Sequence, residues 1–293
     1  MSQAFSKILI YGVGLMGSSL ALALRKLDKD IQLYGVVRST KSKEVISRMG
    51  IFHSVNIENE FLSKPNWSDL DLIIFGTPVD TLEALISNLP HGLNAVLTDM
   101  GSTKYAIDVS VKKLLGSKHK YISSHPMCGS ELSGPENAIE NLYSNKLCIL
   151  TPIEGSDKES LLKIENFWKS IGMLCYQMDS KTHDETLSYL SHSPHILSSL
   201  MVIWAERMAG EVNRQSPMPI MGGGFRDMAR IAGSNPEMWK AILSENRKPI
   251  LNSLIEFQNE LNSAIELLKS GEQKDFQNFF ELAALKKKSL LKN

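Results

Sequence analysis

The chain has 293 residues, 43% of them hydrophobic and 22% charged, enough to bury a core in one large or two ordinary domains. Lys plus Arg and Asp plus Glu stand at 32 each, so no global field favours nucleic acid or an anionic membrane as partner. Its three cysteines, Cys128, Cys148 and Cys175, lack the number and spacing of a disulfide framework or zinc cluster, and no apolar run approaches the roughly 20 residues that span a bilayer, which points to a cytoplasmic protein.

Up to about residue 178, short β-rich apolar runs alternate with amphipathic or polar segments. The runs are Lys7–Tyr11, Gln32–Val37, Leu70–Phe75, Ala95–Thr98, Tyr121–Ser123, Leu147–Leu150 and Leu174–Gln177. Strands alternating with helices imply an α/β fold with a mainly parallel, doubly wound sheet. After Thr182 the strand signal ends, and the rest reads as helices. One runs from about Asp184 to Met208, one opens near Asp227, and one follows Ser234 and Glu237, which fit a capping box. Pro194 and Pro249 are expected to kink or break their helices, and Gly271 to separate the last one. The expected division is residues 1–178 and residues 179–293, the second all-α.

Gly12-Val-Gly14-Leu15-Met16-Gly17 follows the first strand and opens a helix. In that context the backbone N–H groups and the helix dipole can face a pyrophosphate, so the first half reads as a Rossmann-type dinucleotide-binding domain. NAD sites usually carry an acidic side chain at the end of the second strand to take the ribose hydroxyls. This chain has none there and reads Arg38-Ser39-Thr40-Lys41, a guanidinium and hydroxyls suited to a 2′-phosphate. The expected cofactor is NADP, with NAD as the alternative.

The remaining polar signals follow strands, at the end of the sheet where this architecture puts chemistry. They are Thr77-Pro78, the stretch from Asp99 through Ser102 to Lys104, and His125-Pro126. His125 is a titratable imidazole at the end of a late strand, and with Thr77 and Ser102 it would line one crevice. The helical half adds Ser191 and His195, four apart on one helical face, and Arg226, Asp227 and Arg230 after a glycine run. Asp227, three residues before Arg230, could orient it. A cation beside a histidine suits a carboxylate ligand. No third ligand stands at metal spacing from His192 and His195, so no metal is expected.

Taken together, these motifs resemble the prephenate/arogenate dehydrogenase family. The resemblance rests on Gly12-x-Gly-x-x-Gly17, Thr77-Pro78, Asp99-x-Gly-Ser102-x-Lys104, His125-Pro-Met-x-Gly129-x-Glu131, His183-Asp184, Ser191-His-x-Pro-His195 and the run from Gly223 through Arg230 to Trp239. It implies oxidative decarboxylation of prephenate, or of its amino counterpart arogenate. It also implies His125 as hydrogen-bond acceptor or base for the ring hydroxyl and Ser102 as the group that orients it. Arg230 and His195 would hold substrate carboxylates, Ser191 and Trp239 would complete the wall, and Glu131 would act as a gate residue. The first strand starts close to residue 1 and the last segment is helical, which implies the compact, monofunctional form. The helical half would form a homodimer, for which Leu197–Trp204 offers an apolar surface. Two other readings stay open: a β-hydroxyacid or imine-reducing dehydrogenase, and a non-catalytic NADP-sensing module.

Overall fold

The computed structural model describes residues 5–291 apart from 64, 66, 68, 117, 118, 131 and 213–220. The first half holds strands β1 (Lys7–Tyr11), β2 (Gln32–Val37), β3 (Ser54–Ile57), β4 (Leu72–Phe75), β5 (Val96–Asp99), β6 (Tyr121–Pro126), β7 (Leu147–Thr151) and β8 (Leu174–Gln177). Helices α1 (Leu15–Leu27), α2 (Thr40–Arg48), α3 (Glu58–Ser63), α4 (Leu82–Ser87), α5 (Tyr105–Leu115) and α6 (Lys158–Ser170) lie between them. One eight-stranded sheet runs in the order β3-β2-β1-β4-β5-β6-β7-β8. The first six strands are parallel, β7 runs antiparallel to β6, and β8 parallel to β7.

Alternation along the strands builds a core on each face of this sheet. From β1, Ile8 and Ile10 join Leu20 and Leu24 of α1 and Ile164 and Trp168 of α6, while Leu9 and Tyr11 join Phe61 of α3, Leu82 of α4 and Ile107 of α5. Strand order reverses between β1 and β4, the switch point at which a doubly wound sheet opens a crevice. Strand β3 gave no signal in the sequence: it is a half-buried edge strand of four residues with two polar positions.

Beyond β8 every described element is helical. The elements are α7 (Ser180–Leu187), α8 (Ser193–Val212), α9 (Gly223–Ala229), α10 (Pro236–Glu245), α11 (Arg247–Ser270) and α12 (Gln273–Leu290). The helix expected from Asp184 starts earlier, because the Asp179 carboxylate caps α7 by accepting from Thr182 N at 2.9 Å. Pro194 does not break it. A π-helical turn, Ser188–His192, precedes the proline and takes up the geometry that its ring and missing N–H impose, so the axis continues into α8. Pro249 is the third residue of α11, where no intrahelical N–H bond is due, and the break falls at Asn246. The capping box is also corrected. Asn235 caps α10, accepting from Glu237 N and Met238 N, while the Ser234 hydroxyl donates to Ile231 O. No described helix is long and apolar enough to cross a membrane.

Gly12 fixes the switch point. Its φ is +94°, and a Cβ there would sit 2.7 Å from Thr77 Cγ2 and 2.8 Å from the Gly76 carbonyl carbon. Gly12→Ala should therefore cost at least about 2 kcal/mol, read as a Tm lowered by roughly 4–8 °C in thermal unfolding, with loss of dinucleotide affinity.

Candidate active site

The cradle for a dinucleotide is built by backbone. Gly14 is the N-cap of α1, and Ser18 N to Gly14 O (2.9 Å) is the first bond of the helix. The N–H groups of Leu15, Met16 and Gly17 precede it and are left for an anion. A Cβ on Gly14 would meet nothing within 4 Å, so this side of the loop is open to a ligand. The residues present thus fit a pyrophosphate. Arg38 and Thr40 are exposed at the end of β2. Ser39 departs from the expectation: its hydroxyl is already engaged, accepting from Ser42 N at 3.2 Å and donating to Ser42 Oγ at 3.0 Å to cap α2. Across the switch point Thr77 Oγ1 accepts from Thr81 Oγ1 at 2.8 Å, and Pro78 precedes the turn that carries Thr81.

Beside this cradle the loop after β5 is held by a buried ion pair between Asp99 and Lys104. Asp99 also accepts from Gly101 N (2.9 Å), Ser123 Oγ (2.7 Å) and Tyr121 OH (3.1 Å), and Lys104 Nζ donates to Ser124 O at 2.7 Å. Ser102 rides on this loop, half-buried and without a hydrogen bond among the described residues.

His125 lies within β6 opposite Ile149 of β7. Its Nδ1 is 2.8 Å from His183 Nε2, and His183 Nδ1 is 2.7 Å from Asp184 Oδ1. The tautomers follow from the partners. A carboxylate accepts, so His183 carries its proton on Nδ1 and leaves Nε2 bare; His125 then donates from Nδ1 and keeps an unprotonated Nε2. Burial, reinforced by the charge of Lys104, holds His125 well below the ordinary histidine range. Burial lowers His183 as well, against the opposing pull of Asp184. Both rings are neutral at pH 7, and the pair presents one lone pair.

Asp184 reaches further. Its two oxygens accept from Lys104 N (2.8 Å) and Tyr105 N (2.9 Å) at the start of α5, and its backbone O accepts from Asn246 Nδ2 at 2.7 Å. The same Asn246 amide donates to His192 Nδ1 at 3.0 Å. His192 is buried, which pushes it down to about 4 although Asp184 opposes the shift. Its ring is 6.0 Å from that of Trp239, edge to face, and His195 lies against Trp239 at 4.3 Å. A continuous set of contacts thus runs from His125 through His183, Asp184, Asn246 and His192 to Trp239 and His195.

Other expected residues fall differently. Ser191 meets His195 through its backbone, His195 Nδ1 donating to Ser191 O at 2.9 Å. Arg230 is exposed on the 3-10 turn Arg230–Gly233 that follows α9, and α8 anchors this region through Ser198 Oγ to Met228 O at 2.6 Å. Asp227 does not pair with Arg230: α9 ends between them and both side chains are exposed. Glu131 lies outside the described residues. Among the described residues no group of three His, Cys, Asp or Glu is arranged to hold a metal ion. Asn246 was not singled out from the sequence, where it reads as one polar residue between two helices. His183 and Asp184 were visible as a motif but without a role.

What this arrangement can do is accept a proton from an alcohol held next to a bound dinucleotide. Residues 20–176 match the prephenate dehydrogenase nucleotide-binding domain and residues 179–282 its dimerization domain. The prephenate dehydrogenase of Bacillus subtilis is 31% identical over 286 residues, covering 96% of this chain and 74% of the relative. Prephenate dehydrogenase from Aquifex aeolicus, solved in complex with hydroxyphenyl propionate and NAD+, superposes with a TM-score of 0.89 at 28% identity, covering 99% of this chain and 100% of that one. Synechocystis arogenate dehydrogenase gives 0.76 at 27% identity, covering 97% and 100%. The chain belongs to the prephenate dehydrogenase family.

Proposed function

We propose that this protein oxidises and decarboxylates prephenate to 4-hydroxyphenylpyruvate, a step toward tyrosine, as an NAD(P)-dependent oxidoreductase. The observation that carries the reading is the bare Nε2 of His125, kept neutral by burial and set in its tautomer by His183 and Asp184, beside the glycine-loop cradle. In this reading residues 1–178 bind the dinucleotide and 179–293 bind substrate and form a homodimer. In the single chain Leu200, Ile203 and Trp204 are exposed along α8, an apolar face suited to a second copy. The balanced charge and three free cysteines fit a cytoplasmic enzyme without nucleic-acid or membrane partners.

The bound nicotinamide supplies the hydride acceptor. His125 Nε2 takes the proton of the ring hydroxyl as its carbon loses hydride, and Ser102 orients that hydroxyl. The resulting imidazolium donates to His183, which passes the attraction of the Asp184 charge to it. When the ring carboxylate leaves as carbon dioxide, its C–C bond pair enters the ring and ends on the oxygen, which takes the proton back from His125. Arg230 and His195 bind substrate carboxylate, Ser191 and Trp239 line the wall, and Glu131 keeps the role of gate residue that the family resemblance implies.

Arogenate is the second reading, favoured by the likeness to Synechocystis arogenate dehydrogenase. It differs from prephenate by an ammonium in place of the side-chain keto group, so kcat/KM measured for both substrates decides. NADP is the favoured cofactor, on the strength of Arg38 and the absence of an acid at the end of β2. The Aquifex aeolicus neighbour was solved with NAD+.

His125→Asn should lower kcat by roughly 10²–10⁴-fold with dinucleotide Kd unchanged, whereas Arg230→Ala should mainly raise KM for prephenate. A wild-type kcat in the first variant, or a pure kcat effect in the second, removes the mechanism. Arg38→Ala should shift the ratio of kcat/KM for NADP over NAD toward NAD; an unchanged ratio removes the NADP preference. Acid should weaken the fold through the same histidines. His125, His183 and His192 have folded pKa values below the unfolded value of about 6.5, so below that pH the unfolded chain binds more protons. Thermal unfolding should show full stability above pH ~6.5 and a falling Tm from there toward pH 5, shallower in His192→Gln.

A further inference from the structure

Two hydrogen-bond donors in adjoining rings, those of His192 and Trp239, have no acceptor among the described residues. Asn246 gives a hydrogen bond to the Asp184 carbonyl, which fixes Nδ2 as the nitrogen of its amide, and the same nitrogen meets His192 Nδ1. An amide nitrogen only donates, so His192 Nδ1 is bare and its proton sits on Nε2. That Nε2 belongs to a buried ring and makes no hydrogen bond among the described residues. Trp239 Nε1 in the neighbouring ring is buried with no partner among the described residues. Buried donors in native proteins find acceptors, and two unpaired ones in adjoining rings point to an acceptor that arrives with the substrate.

We propose that His192 Nε2–H and Trp239 Nε1–H together hold the substrate carboxylate that leaves as carbon dioxide, with Asn246 as the positioning residue that makes His192 a donor. This rests on the prephenate reading above. The site is uncharged, which suits that carboxylate. A guanidinium would stabilise the anion by charge that neutral carbon dioxide cannot use, raising the barrier to its loss, whereas neutral donors in a dry pocket forfeit less. Arg230 is left for the side-chain carboxylate that the product retains.

Long-range 1H–15N spectra of the histidine side chains test the first step on the full-length, ligand-free protein at pH 7. His192 is expected with its proton on Nε2, and on Nδ1 in Asn246→Asp. A wild-type ring protonated on Nδ1 overturns the proposal whether or not prephenate is turned over. In assays with prephenate, His192→Gln keeps an amide donor near the Nε2 position and should retain roughly tenfold more kcat/KM than His192→Asn; Trp239→Phe should lose roughly tenfold against wild type. Equal losses in the two His192 variants, or none in Trp239→Phe, overturn it. Hydroxyphenyl propionate lacks the departing carboxylate, so its Ki should move less than about threefold in all three variants. A Ki that rises in step with the loss of kcat/KM gives the site to the side-chain carboxylate and overturns the assignment. Absence of prephenate turnover by the wild type appears before any variant is compared and removes the activity itself, leaving the tautomer result standing.

Discussion

One carboxylate, that of Asp184, joins the two halves of the molecule and sets the chemistry. It receives the first N–H groups of α5, beside the loop that carries Ser102, and the Nδ1–H of His183. Hydrogen bonds to a charged group are worth about 1.5–3 kcal/mol each, and an anion at a helix N-terminus gains further from the dipole. The docking of α7 on α5 and the tautomer of His125 are therefore the same set of interactions. A displacement of α7 would at once orphan the helix terminus and release the proton on His183 from its acceptor.

The buried Asp99–Lys104 pair has a different purpose. Pairs sealed from water regain little more than their desolvation cost, so this one is poor evidence of stability. What it gives is position. Asp99 takes partners from its own loop and from β6, and Lys104 reaches the Ser124 carbonyl next to His125. The loop after β5 and the strand bearing His125 are locked in mutual register, which is what the proposed sharing of one substrate hydroxyl by Ser102 and His125 requires.

Signals confined to a few adjacent residues could be read from the sequence, and those made by tertiary contact could not. The glycine loop, Arg38 at the end of β2 and His125 at the end of an apolar run are local patterns, and the strands that carry them formed with the expected alternation. The four-residue edge strand β3 has too little apolar content to show a period. The relay joins residues 58 positions apart, and Asn246 meets Asp184 across 62. Nothing in the spacing of His183 or Asn246 announces a partner. Pro194 shows the limit of a local rule: the clash it predicts is real, but a π turn absorbs it, and that turn is where His192 stands. The expected Asp227–Arg230 pair failed for the opposite reason, since spacing three apart presumes one helix and α9 stops between the two residues.

The proposed wall of the site depends on surface that a single chain leaves open. His195, Trp239 and Arg230 stand on or beside α8, α9 and α10, where full burial is sparse, with Ala241 and Ile242 as the fully buried apolar side chains of α10. Leu200, Ile203 and Trp204 on α8, Leu251 and Ile255 on α11, and Phe279 and Phe280 on α12 remain exposed. An apolar face of that extent has little to hold its helices in place until a partner covers it. In the first half the relay is anchored by a sheet with a core on each side, but in the proposed reading the wall that would meet the far end of the substrate is only as rigid as the contact that covers these helices. If the proposed wall and dimer face are both right, association and substrate binding draw on the same helices, and each should favour the other by mass action.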